Sequence, residues 1–116
     1  MKLLAIPNFG DRISPRLDYS GSLQLISIEG KKEISRETVK MVCHTNLERL
    51  NLIIGLKPDI IICNGISDLL LNELELNNID VLPWIHGEVN EVINNYLKDN
   101  IAKPLKNNFK EKAKTK

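Results

Sequence analysis

The sequence predicts an α/β fold in which helices pack on both faces of one mixed β-sheet. Before residue 44, three apolar or alternating segments have the length of strands, and the second half alternates helical segments with short β-branched runs. Gly30-Lys31-Lys32 is typical of a hairpin turn, so the strands on either side of it are expected to be antiparallel. Strands joined by a helix are parallel, with a right-handed crossover. The order βββαβαβα therefore indicates a mixed sheet.

The first three strands differ in character. Lys2–Pro7 is apolar enough for a central strand, and its pairing should end at Pro7, because proline cannot donate to a ladder. Asn8–Ser20 is rich in Gly, Pro, Ser and Asp and is predicted to be a loop. Ser22–Ile28 alternates as a second strand. Glu33–Cys43 alternates poorly, which favours a third strand at the edge of the sheet.

The second half contains three helices and two strands. Thr45 and Glu48 are spaced as a capping box, and the helix that they begin should end at Leu56-Lys57-Pro58. The other predicted elements are a buried strand over Asp59–Cys63, a helix over Ser67–Leu76, a strand over Ile79–Pro83 and a helix over Glu88–Lys98.

Asp59–Asp68 is the segment with the clearest chemical implication. It is predicted to be a strand, a tight turn and a helix with Ser67 as its N-cap. Such a turn points backbone amides at its occupant, and anions bind in such places. Gly-x-Ser is shorter than a phosphate-binding loop, and a Gly-Lys-Ser/Thr motif is absent. A plain strand-to-helix connection is the alternative interpretation.

Length and charge limit the possible functions. The 116 residues predict one domain over 1–98, followed by a tail at 99–116. Residues 98–116 hold seven lysines and two acidic residues, whereas the rest has nine basic and 13 acidic residues, which argues against a nucleic-acid-binding surface. No apolar run reaches membrane-spanning length. Two cysteines make no disulfide framework, so we expect a cytoplasmic protein.

Two stretches of the chain, 6–18 and 62–97, resemble the dinitrogenase iron–molybdenum cofactor biosynthesis family. In the first stretch the family pattern is matched by Gly10, Arg12, Ser14, Pro15, Arg16 and Asp18. In the second stretch it is matched by Cys63, Gly65 and Ile66. Three positions depart from the pattern: Leu17 replaces an aromatic residue, and Asn64 and Ser67 replace glycines.

The resemblance implies a three-layer, ribonuclease H-like fold with a five-stranded sheet of order 3-2-1-4-5 and strand 2 antiparallel to the others. In that order the crevice between the carboxyl ends of strands 1 and 4 is a topological switch point, where open α/β sheets bind ligands. Arg12, Arg16, His44 and His86 would then lie along one rim of the domain.

Several side chains on this rim are candidate ligands. A guanidinium matches the geometry of an oxyanion, although Arg12 and Arg16 could equally stabilise their loop. Neutral imidazoles can bind soft metals, but a lone histidine is more often a surface or capping residue. The candidate cofactor-binding residues are Arg12, Ser14, Arg16, Asn64, Gly65, Ser67 and His86, and the candidate metal ligands are His44 and His86.

Strand spacing restricts how these groups can combine. In the implied order, Cys43 and Cys63 lie on the order of 14 Å apart, too far for a disulfide. His44 and His86 lie about four strand spacings apart, so a tight mononuclear site using both is not expected. A shallow cradle for a bulky cluster, or two partial sites meeting across a dimer, fits better. Cys63 is predicted to be a small core residue.

The leading functional hypothesis, taken from the resemblance, is a non-catalytic carrier or scaffold for a metal–sulfur cluster of the iron–molybdenum cofactor type, or for its precursor. An iron–sulfur or molybdenum-containing cluster would be the cofactor, and a delivery or acceptor protein would be the partner of the monomer or homodimer. The alternatives are a regulatory domain that binds a small anion or a protein and, last, a small hydrolase. A nuclease is rejected because the first strand carries no acidic residue.

The tail at 99–116 is predicted to be flexible and dispensable for folding, because Lys-rich, weakly apolar segments bury little surface. The competing hypothesis is a short helix that starts at Pro104 and docks Leu105 and Phe109.

Overall fold

The structure, a computed structural model, describes residues 1–98. The strands are β1 Lys2–Phe9, β2 Arg12–Ile13, β3 Ser22–Glu29, β4 Lys32–Lys40, β5 Ile60–Ile62 and β6 Asp80–Leu82. The helices are α1 Asn46–Leu56, α2 Asp68–Leu76 and α3 Val89–Leu97, and a short 3₁₀ helix spans Leu17–Tyr19. The predictions made for the tail at 99–116 lie outside the described residues.

The strands form one mixed sheet, and helices on both of its faces complete a three-layer arrangement. Its main path runs β4-β3-β1-β5-β6, and β2 pairs with β1 beside that path. β3 is antiparallel to both of its neighbours, whereas β1, β5 and β6 are mutually parallel. The hairpin between β3 and β4 turns at Gly30, whose φ of 63° is left-handed and favours glycine. The predicted mixed sheet with three helices is therefore confirmed.

The first loop is more ordered than the sequence predicted. The predicted five strands become six, because Arg12–Ile13 inside the predicted loop pairs with Asn8 and Phe9 of β1. β1 also continues beyond Pro7, which was expected to end its pairing. Proline lacks only the donor: the Pro7 carbonyl still accepts a hydrogen bond from the Ser14 amide at 2.9 Å.

Two hydrophobic layers cover the faces of the sheet. On one face α1 and α2 pack through Leu50, Ile53 and Leu74 onto Ala5 and Ile61. On the other face α3 packs onto a second set of strand residues, which consists of Leu4, Ile6, Ile26, Ile60 and Ile62. Successive strand side chains point to opposite faces, so a central strand such as β1 must be apolar throughout.

Local capping fixes the helix starts as predicted. The Thr45 hydroxyl accepts from the Glu48 amide, and the Glu48 carboxylate accepts from the Thr45 amide, which completes the capping box. The Ser67 hydroxyl accepts from the Leu70 amide at the start of α2. Within the described range, no helix has the length and apolar character needed to cross a membrane.

Both edges of the sheet are protected from further pairing. β4 is an edge strand as predicted, although it ends at Lys40 rather than Cys43. Nearly all of its residues are exposed, and it carries Lys, Glu and Arg side chains, which discourage pairing with another chain. β6 at the other edge has only three residues.

Candidate functional site

The carboxyl ends of β1, β4, β5 and β6 lie at the same edge of the sheet, because these strands run in the same direction. We call this edge the rim; it comprises residues 10–19, 42–45, 63–68 and 83–88. All three helices begin here, since each follows one of these strands. The rim therefore presents three helix N-termini, each with partial positive charge.

The segment 12–18, which we call the arginine loop, is held at both ends by hydrogen bonds to other parts of the chain. At its start the Ile13 amide donates to the Gly87 carbonyl at 2.9 Å, and the Val89 amide donates to the Asp11 carbonyl at 2.8 Å. At its end the chain forms a parallel bridge between Arg16 and Gly65. A loop with such pairing at both ends has its backbone held in a fixed position.

The bridge to Gly65 closes the crevice between β1 and β5. The Gly65 amide donates to the Pro15 carbonyl, and the Leu17 amide donates to the Gly65 carbonyl, both at 2.8 Å. A Cβ atom at Gly65 would lie 2.9 Å from the Pro15 oxygen and 2.9 Å from Arg16 Cγ. Only glycine fits this contact without displacing its neighbours, which gives the Gly65 position of the sequence a packing role.

Asp18 occupies the place where the sequence predicted an external anion. Its Oδ1 accepts from the Ser67 amide at 3.0 Å and lies 3.4 Å from Arg16 Nη2. The carboxylate is buried, with 6% of Asp18 exposed. The amides of Gly65 and Ser67 are thus satisfied by the chain itself, so these two amides are not free to bind an added oxyanion.

Ser14 and Asn64, two other predicted binding residues, also make internal contacts. The buried Ser14 hydroxyl donates to the Arg16 carbonyl at 3.3 Å. The half-buried Asn64 accepts at its backbone carbonyl from the Trp84 amide at 2.9 Å. These internal contacts of Ser14 and Asn64 stabilise the turns of the rim.

The two arginines are the exposed cations of the arginine loop. The Arg16 side chain is 44% exposed, and its contact with Asp18 is long for an ion pair. The exposed Arg12 side chain has no hydrogen-bond or ion-pair partner within residues 1–98. Both guanidinium groups therefore retain donors for a ligand, and they extend from an anchored backbone.

The two histidines lie on opposite sides of the rim. His44 precedes α1, and its amide donates to the Glu48 carboxylate at 2.9 Å. His86 follows β6, which lies four positions from β4 in the sheet order, or about 19 Å. Residues 1–98 contain no group of three or more His, Cys, Asp or Glu that could hold a metal ion.

The cysteines do not supply a thiolate site. Cys63 is fully buried, and burial, with the nearby Asp18 carboxylate as a second cause, raises the pKa of its thiol to about 12. Cys43 is half-buried beside β4, three strand positions from Cys63. A cluster that is ligated by cysteine needs deprotonated thiolates. The described residues therefore do not fit a metal–sulfur cluster ligated by cysteine.

Three residues at or beside the rim, Asp18, Arg49 and Trp84, were not among the predicted site residues. Asp18 was predicted only as a match to the family pattern. Arg49 of α1 is buried, and its Nε donates to the Leu17 carbonyl at 3.1 Å, which ties the arginine loop to α1. Trp84 is 65% exposed and has a left-handed φ of 65°. Only the charged types of Asp18 and Arg49, and Trp84 being the single tryptophan, could have drawn attention to them.

Comparisons with known proteins find likeness in fold. No family model matches the sequence, and no curated protein matches it. Among solved structures, the protein PH0822 has a TM-score of 0.81 at 20% identity, covering 87% of this chain and 93% of that chain. A Methanocaldococcus jannaschii protein, provisionally assigned as a dinitrogenase, has a TM-score of 0.74 at 16% identity, with 89% and 94% covered.

Two further structures extend the comparison. A Thermotoga protein provisionally assigned as NifB has a TM-score of 0.70 at 15% identity, covering 89% of this chain and 93% of that one. The apo form of the orange protein from Desulfovibrio gigas has a TM-score of 0.73 at 11% identity, covering 90% and 93%. At these identities the likeness establishes a shared fold.

Proposed function

We propose that the chain is a non-catalytic binding domain of the dinitrogenase iron–molybdenum cofactor biosynthesis type, with a ribonuclease H-like fold. Its cargo is an anionic metal–sulfur cluster or the precursor of one. The names of two fold neighbours, a dinitrogenase and NifB, support this direction, as does the motif that contains Arg12, Ser14 and Arg16.

The exposed guanidinium pair on the anchored arginine loop is the observation that carries the proposal. Arg12 and Arg16 lie four residues apart on a segment held at both ends by hydrogen bonds of 2.8–2.9 Å. A guanidinium is permanently charged and donates in a fork to oxygen or sulfur acceptors. A binding site on an anchored backbone loses less entropy when the ligand arrives.

The cargo would be held by charge and hydrogen bonds rather than by thiolates. Cys63 is protonated and buried at neutral pH, and the histidines lie at opposite sides of the rim. His86 lies close to the start of the arginine loop, because Gly87 pairs with Ile13. In this arrangement Arg12, Arg16 and His86 contact the cargo, whereas Ser14, Gly65 and Ser67 hold the surface in shape.

Titration with tetrathiomolybdate, a dianionic molybdenum–sulfur compound that absorbs visible light, tests the proposal. The Arg12→Ala/Arg16→Ala variant should bind at least about tenfold more weakly than the parent, because it loses two charge-assisted contacts. Added salt should weaken binding to the parent more than to the variant.

The matched control is Lys2→Ala/Lys32→Ala, which removes two positive charges at the opposite edge of the sheet. Lys2 begins β1, and Lys32 begins β4 beside the hairpin turn. If the two double variants bind equally, only net charge matters and the assignment of the rim is wrong.

A domain that binds a protein partner is the second candidate function. One observation favours it: the rim exposes a tryptophan in a strained backbone conformation. This feature has no role in holding an anion, and it supports a separate inference.

A further inference from the structure

Trp84 is held in an unusual state. It is the only tryptophan of the chain, 65% of its surface is exposed, and its φ is 65°. A left-handed φ is an outlier for a bulky residue, since the Cβ atom crowds the backbone. Strained backbone of this kind is concentrated at functional sites. Asn or Gly would relieve the backbone strain at this position, yet the position carries tryptophan, the largest side chain of all.

Backbone pairing fixes Trp84 in that state. The Trp84 amide donates to the Asn64 carbonyl at 2.9 Å, and the next amide, that of Ile85, donates to the Cys63 carbonyl at 2.9 Å. These two bonds lie just beyond the end of the β5–β6 ladder and tie the turn after β6 to the turn after β5. The main chain beneath the indole is therefore anchored, so the ring is presented from a fixed base.

The backbone of Trp84 lies near the arginine loop. Three segments run side by side: the end of the arginine loop, the Asn64–Gly65 turn bridged to it, and the Trp84–Ile85 segment bonded to the far side of the turn. With strand-like spacing, the backbones of Arg16 and Trp84 lie about 10 Å apart. Tyr19, which follows Arg16 by one 3₁₀ turn, is 81% exposed.

We call these exposed groups the aromatic–arginine patch; it consists of Arg12, Arg16, Tyr19 and Trp84. Tryptophan, tyrosine and arginine are the residue types that dominate the energetics of protein–protein interfaces. The aromatic rings supply apolar area, and the guanidinium groups supply charge complementarity for carboxylates. The anchored backbone limits the entropy lost on binding.

We propose that the aromatic–arginine patch docks an acidic segment of another protein, with an apolar side chain seated against Trp84 and carboxylates paired with Arg16 and Arg12. A carboxylate suits these positions because Arg12 has no partner in residues 1–98 and the Arg16 guanidinium is partly free. The inference does not depend on the cargo of the proposed function, although a delivery or acceptor protein would be such a partner.

The emission of Trp84 reports on this surface directly, because no other tryptophan contributes. The probe is a synthetic peptide with a central phenylalanine between runs of aspartate and glutamate. Binding should shift the emission maximum to shorter wavelength, with saturation. The dissociation constant should rise by about tenfold or more in Arg16→Ala, and the shift should vanish with a peptide that carries alanine instead of phenylalanine.

A second variant separates binding from folding. Asparagine tolerates the left-handed conformation, so Trp84→Asn should keep or slightly raise the melting temperature while peptide binding, measured by calorimetry, is lost. Binding of tetrathiomolybdate by Trp84→Asn should stay unchanged, so failure of one proposal is distinguishable from failure of the other.

Several outcomes would overturn the inference. One is an emission maximum that does not respond to the peptide, and another is undiminished peptide binding by Trp84→Asn. If the emission shifts with protein concentration alone, a second copy of the chain covers the patch instead. If inorganic phosphate produces the same shift as the peptide, the occupant is a small anion.

Discussion

The rim has two halves that differ in how their polar groups are used. Around Gly65 the polar groups are paired within the chain. Two bridge hydrogen bonds close the crevice, and the Asp18 carboxylate accepts from the Ser67 amide at the start of α2. Around Trp84 the backbone is equally fixed, but Trp84 itself faces solvent, with 65% of its surface exposed. The first half is built like a core and the second like a binding surface.

The difference shows that a helix N-terminus at a switch point is not by itself a ligand site. At α2 the positive end of the helix is matched by an internal carboxylate, so its effect contributes to stability. The groups left for a ligand are side chains of the arginine loop, which that internal packing holds in place. Substitutions in the Gly65 half should therefore change stability, and substitutions at the exposed groups should change binding.

Gly65→Ala should give the largest loss of stability. The new Cβ would lie 2.9 Å from a backbone oxygen and from Arg16 Cγ, so the bridge must open or shift. Overpacking of this kind costs about 2 kcal/mol, or roughly 10 °C in melting temperature. Thermal unfolding followed by circular dichroism measures the change.

The matched control is Gly21→Ala. Gly21 lies at the same edge of the sheet, but a Cβ there meets no atom within 4 Å, so its melting temperature should stay within a few degrees of the parent. Equal effects at both glycines would mean that the bridge to the arginine loop contributes nothing.

Asp18→Ala should have the next largest effect. The Ser67 amide loses its acceptor at a partly buried helix start, which costs about 1.5 kcal/mol. Asp68→Ala is the control, since the exposed Asp68 contributes mainly through the helix dipole, about 0.5 kcal/mol. Urea unfolding of both variants checks the order. A larger loss of stability in Asp68→Ala would contradict the role of Asp18 as the internal anion at the start of α2.

Ionisation of the Cys63 thiol should lower stability only at alkaline pH. Its folded pKa of about 12 lies above its ordinary 9.0, so the stability that this group contributes is complete below pH 9 and is lost as pH rises toward 12. Within that window the free energy of unfolding should fall by about 1.4 kcal/mol per pH unit from this group.

Comparing the pH slopes of the parent and Cys63→Ala isolates the contribution of the thiol from that of other titrating groups. The variant should show the shallower decline above pH 9. Parallel slopes would mean that the thiol ionises as readily in the folded chain as in the unfolded one, and the argument against a thiolate ligand would fail.

Features set by neighbours in the sequence could be predicted. The capping box of Thr45 and Glu48 and the N-cap at Ser67 depend on residues three positions apart, and both were found where predicted. The buried strand at Ile60–Ile62 follows from an unbroken run of β-branched residues. The general layout of sheet and helices follows from the order of these elements.

Features set by contacts between distant residues could not be predicted from the sequence. β2 is only two residues long and depends on pairing with β1 and on the Gly87 carbonyl, far along the chain. The Asp18–Ser67 contact joins residues 49 positions apart. The left-handed state of Trp84 follows from pairing with Asn64, and nothing in the local sequence around a tryptophan predicts it.

In the proposed function the rim holds its cargo through guanidinium groups and without cysteine. The most direct measurement is the metal content per chain after anaerobic reconstitution with iron, molybdate and sulfide, followed by gel filtration. We expect Cys43→Ser/Cys63→Ala to retain the metal content of the parent and Arg12→Ala/Arg16→Ala to lose most of it. Loss of metal in the cysteine variant, with retention in the arginine variant, would contradict the claim.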